Sequence, residues 1–246
     1  MYFLLAAIAL ITSCLSASAQ TDTVIIEKKS KPAFFKRNIK TPPDRLSLDL
    51  LGCNWIHNIP NFQTKWYSRG LNVYFMYDFK IKKTNISIAP GIGFSTSNIY
   101  HNSILVQDSS GLRFDPTARP AYDTLGYNAD RYKVNRIQIN YIEIPVEVRF
   151  RTRPDRLDQV WKFNVGFKAG IRVDSNVKHT INSASGTQVH MTHRFPDFNL
   201  LRIGPTLRIG YSFVNFYGFY SILGTFKTDR GPRVNEFNIG ISFNGL

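Results

Sequence analysis

The run "YIEIPVEVRF", residues 141–150, constrains the fold more than any other stretch. Ile142, Ile144, Val146, Val148 and Phe150 hold alternate places, with Glu143, Pro145, Glu147 and Arg149 between them. Successive side chains of a strand point to opposite faces, so this segment has one wholly apolar face and one face rich in charge. Two settings supply such a pair of environments. One is an antiparallel sheet with a soluble core on one side; the other is a strand between lipid and a polar barrel interior.

Seven further runs read as strands: 46–54, 70–80, 84–97, 160–174, 199–211, 216–226 and 234–244, with 136–150 completing eight. No long segment keeps a 3.6-residue apolar period with a polar back, so the predicted class is all-β. The connections 55–69, 98–135 and 175–198 are long. Those at 81–83, 151–159 and 212–215 are short, and 227–233, also short, breaks the alternation mildly. Alternating long and short connections place the long loops at one end of an antiparallel up-and-down meander, as in outer-membrane barrels. Several runs exceed the ~5–6 residues of an ordinary strand and match the ~9–11 of a tilted membrane strand. Aromatic residues near strand ends suit interfacial girdles: Trp55, Trp66, Tyr67, Tyr77, Phe79, Phe150, Trp161, Tyr211, Phe216, Tyr217 and Phe243.

The polar phase of these strands decides between the two settings. On 160–174, Trp161, Phe163, Val165, Phe167, Ala169, Ile171 and Val173 share one face; on 234–244, Phe237, Ile239, Ile241 and Phe243 do. The opposite phase brings Asp49, Asp78, Glu143, Glu147 and Glu236 together with Arg149, Lys162, Lys168, Arg172, Arg202 and Arg208. A soluble barrel buries so many charges only at high cost, whereas a membrane barrel cross-pairs them with trapped water. The expected fold is therefore an eight-stranded antiparallel transmembrane β-barrel over 46–246; the alternative is a secreted sandwich or soluble lipocalin-like barrel. Two features resist it. Pro90, Pro145 and Pro205 lie inside strands, where each removes a ladder donor. The run "FYGFYSIL" is aromatic on both faces, which points to contact with a plug, a partner or a second barrel, or to a different register.

The first 19 residues read as a signal peptide, with Ala17-Ser18-Ala19 as the small-residue cleavage site. A lipobox, "ITSC", ending at Cys14 is the alternative. The apolar run is too short to span a membrane, and no later run reaches the ~20 residues a spanning helix needs. The exported chain keeps one cysteine, Cys53, which excludes a disulfide framework and a cysteine-based zinc site. Residues 20–45 form a basic periplasmic extension with Pro32, Pro42 and Pro43. It reads as a linker, or as a docking segment anchored by Phe34-Phe35. The net charge of +14 calls for an anionic counterpart. Export argues against nucleic acid and for anionic lipid, lipopolysaccharide or an acidic periplasmic or surface protein.

Catalytic constellations are sparse. His101 and Ser103 have the residue types of a lipid A deacylase, which needs a serine beside a histidine base, but no third member is identifiable. His179, His190 and His193 read as a solvated loop, since H-x2-H is not a defined metal motif. "GIGFSTS" and "SASGTQ" lack the lysine and helix of a phosphate loop. Asp115, Asp123 and Asp130 lack calcium-loop spacing. No catalytic, cofactor-binding or metal residue is assigned, and no cofactor is expected.

The runs "YIEIPVEVRFRT", "FNVGFKAGIRV", "ISIAPGIGFSTSNIY", "RIGYSFVNFYGFYSI" and "GPRVNEFNIGISF" resemble the outer-membrane β-barrel domain family of Bacteroidetes, often labelled PorT-like. The resemblance covers most of 46–246 and not the basic extension. It implies an outer-membrane barrel in which "IAPG" and "EIP" are habitual, and it carries over no catalytic residue. One member, PorT, belongs to the type IX secretion apparatus. The expected function is a non-enzymatic outer-membrane protein that binds or scaffolds an envelope partner, in secretion or surface assembly. The alternative is a lipid A-modifying enzyme.

Overall fold

The computed structural model describes residues 45–245, apart from 58, 60–61, 82–83, 109–110, 116–131, 154–159, 184–185 and 195. The expected signal peptide, the Cys14 alternative and the expected extension up to residue 44 lie outside the described residues, as do Asp123 and Asp130.

Twelve strands follow in chain order: β1 (Leu46–His57), β2 (Arg69–Met76), β3 (Phe79–Lys80), β4 (Ile86–His101), β5 (Ile104–Asp108), β6 (Gly111–Asp115), β7 (Tyr132–Arg151), β8 (Trp161–Ser183), β9 (Gly186–His193), β10 (Leu201–Tyr211), β11 (Val214–Tyr220) and β12 (Val234–Asn244). β1, β2, β4, β7, β8, β10, β11 and β12 pair in sequence, all antiparallel, and β12 returns to β1. Closure removes the open edges that a sheet would otherwise expose. The eight strands anticipated from alternation are these eight.

The alternation holds in three dimensions. Ile142, Ile144, Val146, Val148 and Phe150 are exposed on the outer wall, as are Phe163, Val165, Phe167 and Ile171 of β8 and Ile239 and Ile241 of β12. Their intervening neighbours Glu143, Glu147, Arg149, Lys162, Lys168, Glu236 and Asn238 are buried inside. An apolar exterior around a charged interior inverts a soluble protein and matches a bilayer-embedded barrel.

Each strand proline sits where a ladder stops. Pro90 accepts the Tyr77 N–H at 2.8 Å but has no N–H to return. The strand opposite breaks there into β2 and β3, whose registers with β4 end at Met76–Gly91 and resume at Phe79–Ile88. Pro145 falls in the gap of the β4–β7 ladder between Pro90–Val146 and Gly93–Glu143. Pro205 lies one residue before the β10–β11 pairing begins at Thr206. The barrel thus places its prolines at ladder interruptions, as their missing donor requires.

At the short-turn end, β10 and β11 are joined by Ser212-Phe213, with Ser212 at φ 60°. At the other end the strands outrun the barrel. The segments 98–135 and 175–198 are not plain loops: β4, β7 and β8 continue into them, β9 folds back on β8, and β5 and β6 form a separate hairpin. A bulge between β7 and β8 near Asn140–Tyr141 marks where the barrel wall gives way to this extension.

Candidate functional site

The interior is built from rows of registered residues in which large and glycine positions alternate. Tyr74, Gly93, Glu143, Gly170 and Arg202 face one another in turn across β2, β4, β7, β8 and β10. A Cβ on Gly170 would lie 2.8 Å from Glu143 Cγ, and one on Gly166 2.8 Å from Glu147 Cγ. These glycines open the space in which the carboxylates reach their partners.

Arg202 Nη2 donates to Glu143 Oε1 at 2.5 Å and its Nη1 to Glu236 Oε1 at 2.8 Å. Lys168 Nζ donates to Glu143 Oε2 at 3.0 Å, and the Tyr74 hydroxyl donates to the same carboxylate. Nearer the short-turn end, Arg208 joins Asp49 at 2.8 Å and also meets Glu147, which pairs with Arg149 at 3.0 Å. Arg151 pairs with Asp78 at 2.7 Å. Desolvating so many charges is offset only where each keeps several partners, and here Glu143 and Arg202 each bridge more than one strand.

Aromatic rings complete the network. Lys168 Nζ lies 3.9 Å from the Phe219 ring centre, Arg202 Cζ 3.9 Å from that of Tyr141, and Arg208 Cζ 4.6 Å from that of Tyr217. Ring faces attract such cations, the more so out of water. This accounts for the doubly aromatic β11: Phe216 and Tyr220 face outward, and Tyr217 and Phe219 face the interior cations. No plug or second barrel is needed to explain it. Tyr217 is therefore not a girdle residue.

Trp55 is also turned inward. At the long-loop end it packs on Phe62 and Phe226, with ring centres 6.0 Å apart in each case, and Phe226 stacks on Phe198 at 5.0 Å. Ile99, Ile137, Ile139 and Val177 line the extended strands beneath these rings and share their apolar core. Phe62, Phe198 and Phe226 come from connections that fold back over the barrel. The lumen is thus crossed by ion pairs at mid-height and capped by an apolar cluster above.

His101 and Ser103 lie within this cap. Both are buried, the Ser103 hydroxyl donates to Asn102 Oδ1 at 3.0 Å, and the His101 ring stacks on Phe62 at 5.6 Å. Burial, reinforced by nearby His179, holds the His101 imidazole well below its usual range, at about 3. His179 is not solvated: it is buried on β8 and its Nδ1 lies 2.8 Å from Asn135 Oδ1. His190 is registered opposite it and His193 is exposed on β9. Among the described residues, no group of three or more His, Cys, Asp or Glu is placed to hold a metal. A cleft of about 370 Å3 opens between Asn199, Phe226 and the 227–235 turn, bordered by Lys227, Asp229 and Arg233.

The expected interior residues are where alternation places them, with one shift: Arg172 is only half-buried and donates to the Phe198 and Asn199 carbonyls under the cap. Sequence reasoning missed Arg151, assigned to a turn, and Tyr74 and Tyr141, whose inward phase was legible but whose role against Glu143 and Arg202 was not.

No curated protein matches the chain. Among solved structures it is similar to Ail, the attachment invasion locus protein of Yersinia pestis, solved in complex with the heparin analogue sucrose octasulfate. The similarity covers 81% of this chain and 96% of Ail, at 12% identity and a TM-score of 0.30. The outer membrane protein beta-barrel domain family matches residues 52–230. With that match, the closed eight-stranded barrel and its apolar outer wall, the chain belongs to the outer membrane protein beta-barrel domain family and resides in the outer membrane.

Proposed function

We propose that this barrel is a non-enzymatic fixture of the outer membrane. It holds an envelope protein partner through its long external connections and its basic N-terminal segment, within a bilayer that includes lipopolysaccharide. The observation that carries this reading is the filled interior: Arg202, Lys168 and Arg208 with their carboxylates occupy mid-height, and Trp55, Phe62 and Phe226 cap it. What the protein offers a partner is then its outside. The signal peptide, PorT-like membership and a role in secretion or surface assembly belong to the proposal; they rest on the N-terminal sequence and the five runs quoted above. In this orientation 98–135 and 175–198 face the exterior, and the short turns face the periplasm.

The rival is a lipid A-modifying enzyme using His101 and Ser103. Their burial, and the Ser103 bond to Asn102 rather than to a base, favour the non-enzymatic reading. The test is a pair of variants. Deleting residues 24–40 should lose a co-purifying partner while the barrel still inserts. Ser103→Ala should leave lipid A mass spectra unchanged. A mass difference confined to Ser103→Ala would overturn the proposal in favour of the enzyme.

A further inference from the structure

On β4, β7 and β8 the outer wall changes character above the apolar band. The last fully apolar row runs Val73, Phe94, Ile142, Ile171, Leu201 across β2, β4, β7, β8 and β10. The next row outward is Thr96, Asn140, Asp174 on β4, β7 and β8, and it stays apolar on β2 and β1 at Leu71 and Leu50. Above it stands Arg69, Asn98, Gln138, Asn176, His193, with Asn176 buried beneath its neighbours, and above that Tyr100, Arg136, Lys178, Met191. Rows on one face of a sheet step by about 7 Å along the strand. On β4, β7 and β8 polar residues therefore line the outer face from the end of the acyl-facing band over about 20 Å of strand, the side on which lipid headgroups meet a membrane barrel.

The chemistry of these rows is specific. Arg69, Arg136 and Lys178 supply three cations against one carboxylate, Asp174, and none of the three cations makes an ion pair among the described residues. The amides between them are linked edge to edge: Arg136 Nη2 donates to Asn176 Oδ1 at 3.5 Å and Asn176 Nδ2 to Gln138 Oε1 at 3.4 Å. Beside the rows, Tyr67 packs on Tyr100 at 5.0 Å and Trp66 on Tyr67 at 5.8 Å. Trp66 is left 92% exposed, so its ring has one face free. Guanidinium and ammonium groups recognise phosphate oxygens, and amides and open aromatic faces suit sugar rings.

We propose that this wall, formed by Arg69, Asn98, Arg136, Gln138 and Lys178 with the Trp66–Tyr67–Tyr100 stack at its edge, binds the phosphorylated sugar headgroup of an outer-leaflet glycolipid. The acyl chains lie against Phe94, Ile142 and Ile171, below the Thr96–Asn140–Asp174 row. The position commits the occupant to a lipid: the cations stand two and three rows beyond the acyl-facing surface of β4, β7 and β8, with Thr96, Asn140 and Asp174 between, so a sugar headgroup spans the interval while its chains use the apolar surface that a soluble anion would leave unused. The site rests on the orientation proposed above, with the long-connection end outward.

The test uses the purified full-length barrel in phosphatidylcholine nanodiscs doped with bis-phosphorylated lipid A, with retained lipid counted by native mass spectrometry. The triple substitution Arg69→Gln, Arg136→Gln, Lys178→Gln should lower retained lipid A at least tenfold. Lys227→Gln, Arg230→Gln, Arg233→Gln, at the cleft end, should retain as much as wild type. Heat-modified gel mobility reports folding for each, and Arg136→Lys, which keeps the charge, should retain most of the lipid. Equal retention by the folded triple variant would overturn the site, and so would equal loss in the cleft variant. Displacement by millimolar inorganic phosphate would reassign it to free anions and overturn the lipid proposal. Orientation is read separately, by protease cleavage of a tag at Gly111 on intact cells, because lipid retention by purified barrel does not depend on it.

Discussion

Arg202 of β10 and Glu143 of β7 meet 2.5 Å apart across Gly170 of β8, the residue registered between them. The glycine is what lets two strands that are not neighbours share an ion pair. Gly170→Val would fill that space, since even its Cβ lies 2.8 Å from Glu143 Cγ. Glu143→Leu would strand Lys168 and half of the Arg202 bonding. Removing one member of a buried pair costs roughly 3–5 kcal/mol. Both variants should lower the urea midpoint of the folded barrel in vesicles, and for Glu143→Leu the unfolding free energy from the same titration should fall by roughly 3–5 kcal/mol. A midpoint within experimental error of wild type for Glu143→Leu would show the network to be energetically idle.

The filled interior predicts electrical silence. Eight strands leave room for little beyond side chains, and here they are paired Arg, Lys and Glu residues under an aromatic cap. The purified protein in planar bilayers should show no stable large conductance. Steady porin-like steps would mean that the cap and network open together.

On the outer wall, Val146 lies mid-strand in the apolar face of β7 and is exposed. Val146→Arg should destabilise the inserted barrel by ~2–4 kcal/mol, the cost of a cation at mid-bilayer. Thr96→Arg, one row above the apolar band, should cost far less. The contrast between them, read from urea titrations in the same vesicles, maps the band edge; equal costs would misplace it.

His101 gives a pH signature at the capped end, well beyond Phe94 and the apolar band. Burial among Phe62 and its neighbours, with His179 close by, lowers its pKa from 6.5 to about 3. A histidine depressed on folding binds fewer protons folded than unfolded, so its contribution is complete above about pH 6.5 and is lost as pH falls toward 3. Unfolding of wild type should become easier through that window, and His101→Phe, which preserves stacking on Phe62, should flatten the dependence. An imidazole signal titrating between pH 6 and 7 in the folded protein would contradict the burial argument.

Much of this architecture was legible in the chain. A period of two is a local property, so Ile142 to Phe150 could be assigned outward and Glu143, Glu147 and Arg149 inward without knowledge of any partner strand. The same reading placed Lys168, Arg202 and Glu236 in the interior. The failures share a cause. Trp55 and Tyr217 look like girdle residues because they lie near strand ends, and only closure determines whether a strand end meets the interface or the capped lumen. The aromatic β11 looked anomalous because its inward rings answer to cations on β8 and β10.

What the sequence by itself determined was therefore the phase of each strand, the even count, and the placement of long connections at one end, because each follows from side-chain alternation or chain length alone. Tertiary structure decided the pairings. Arg208 reaches Asp49 across 159 positions of chain, and Arg202 joins Glu143 and Glu236 from strands 59 and 34 positions away. Those meetings depend on the stagger with which the sheet closes and on which inward positions are glycine. Phe62, Phe198 and Phe226 fold back to form the cap for a related reason: their connections carry no period, and only the finished rim supplies the apolar surface that draws them in.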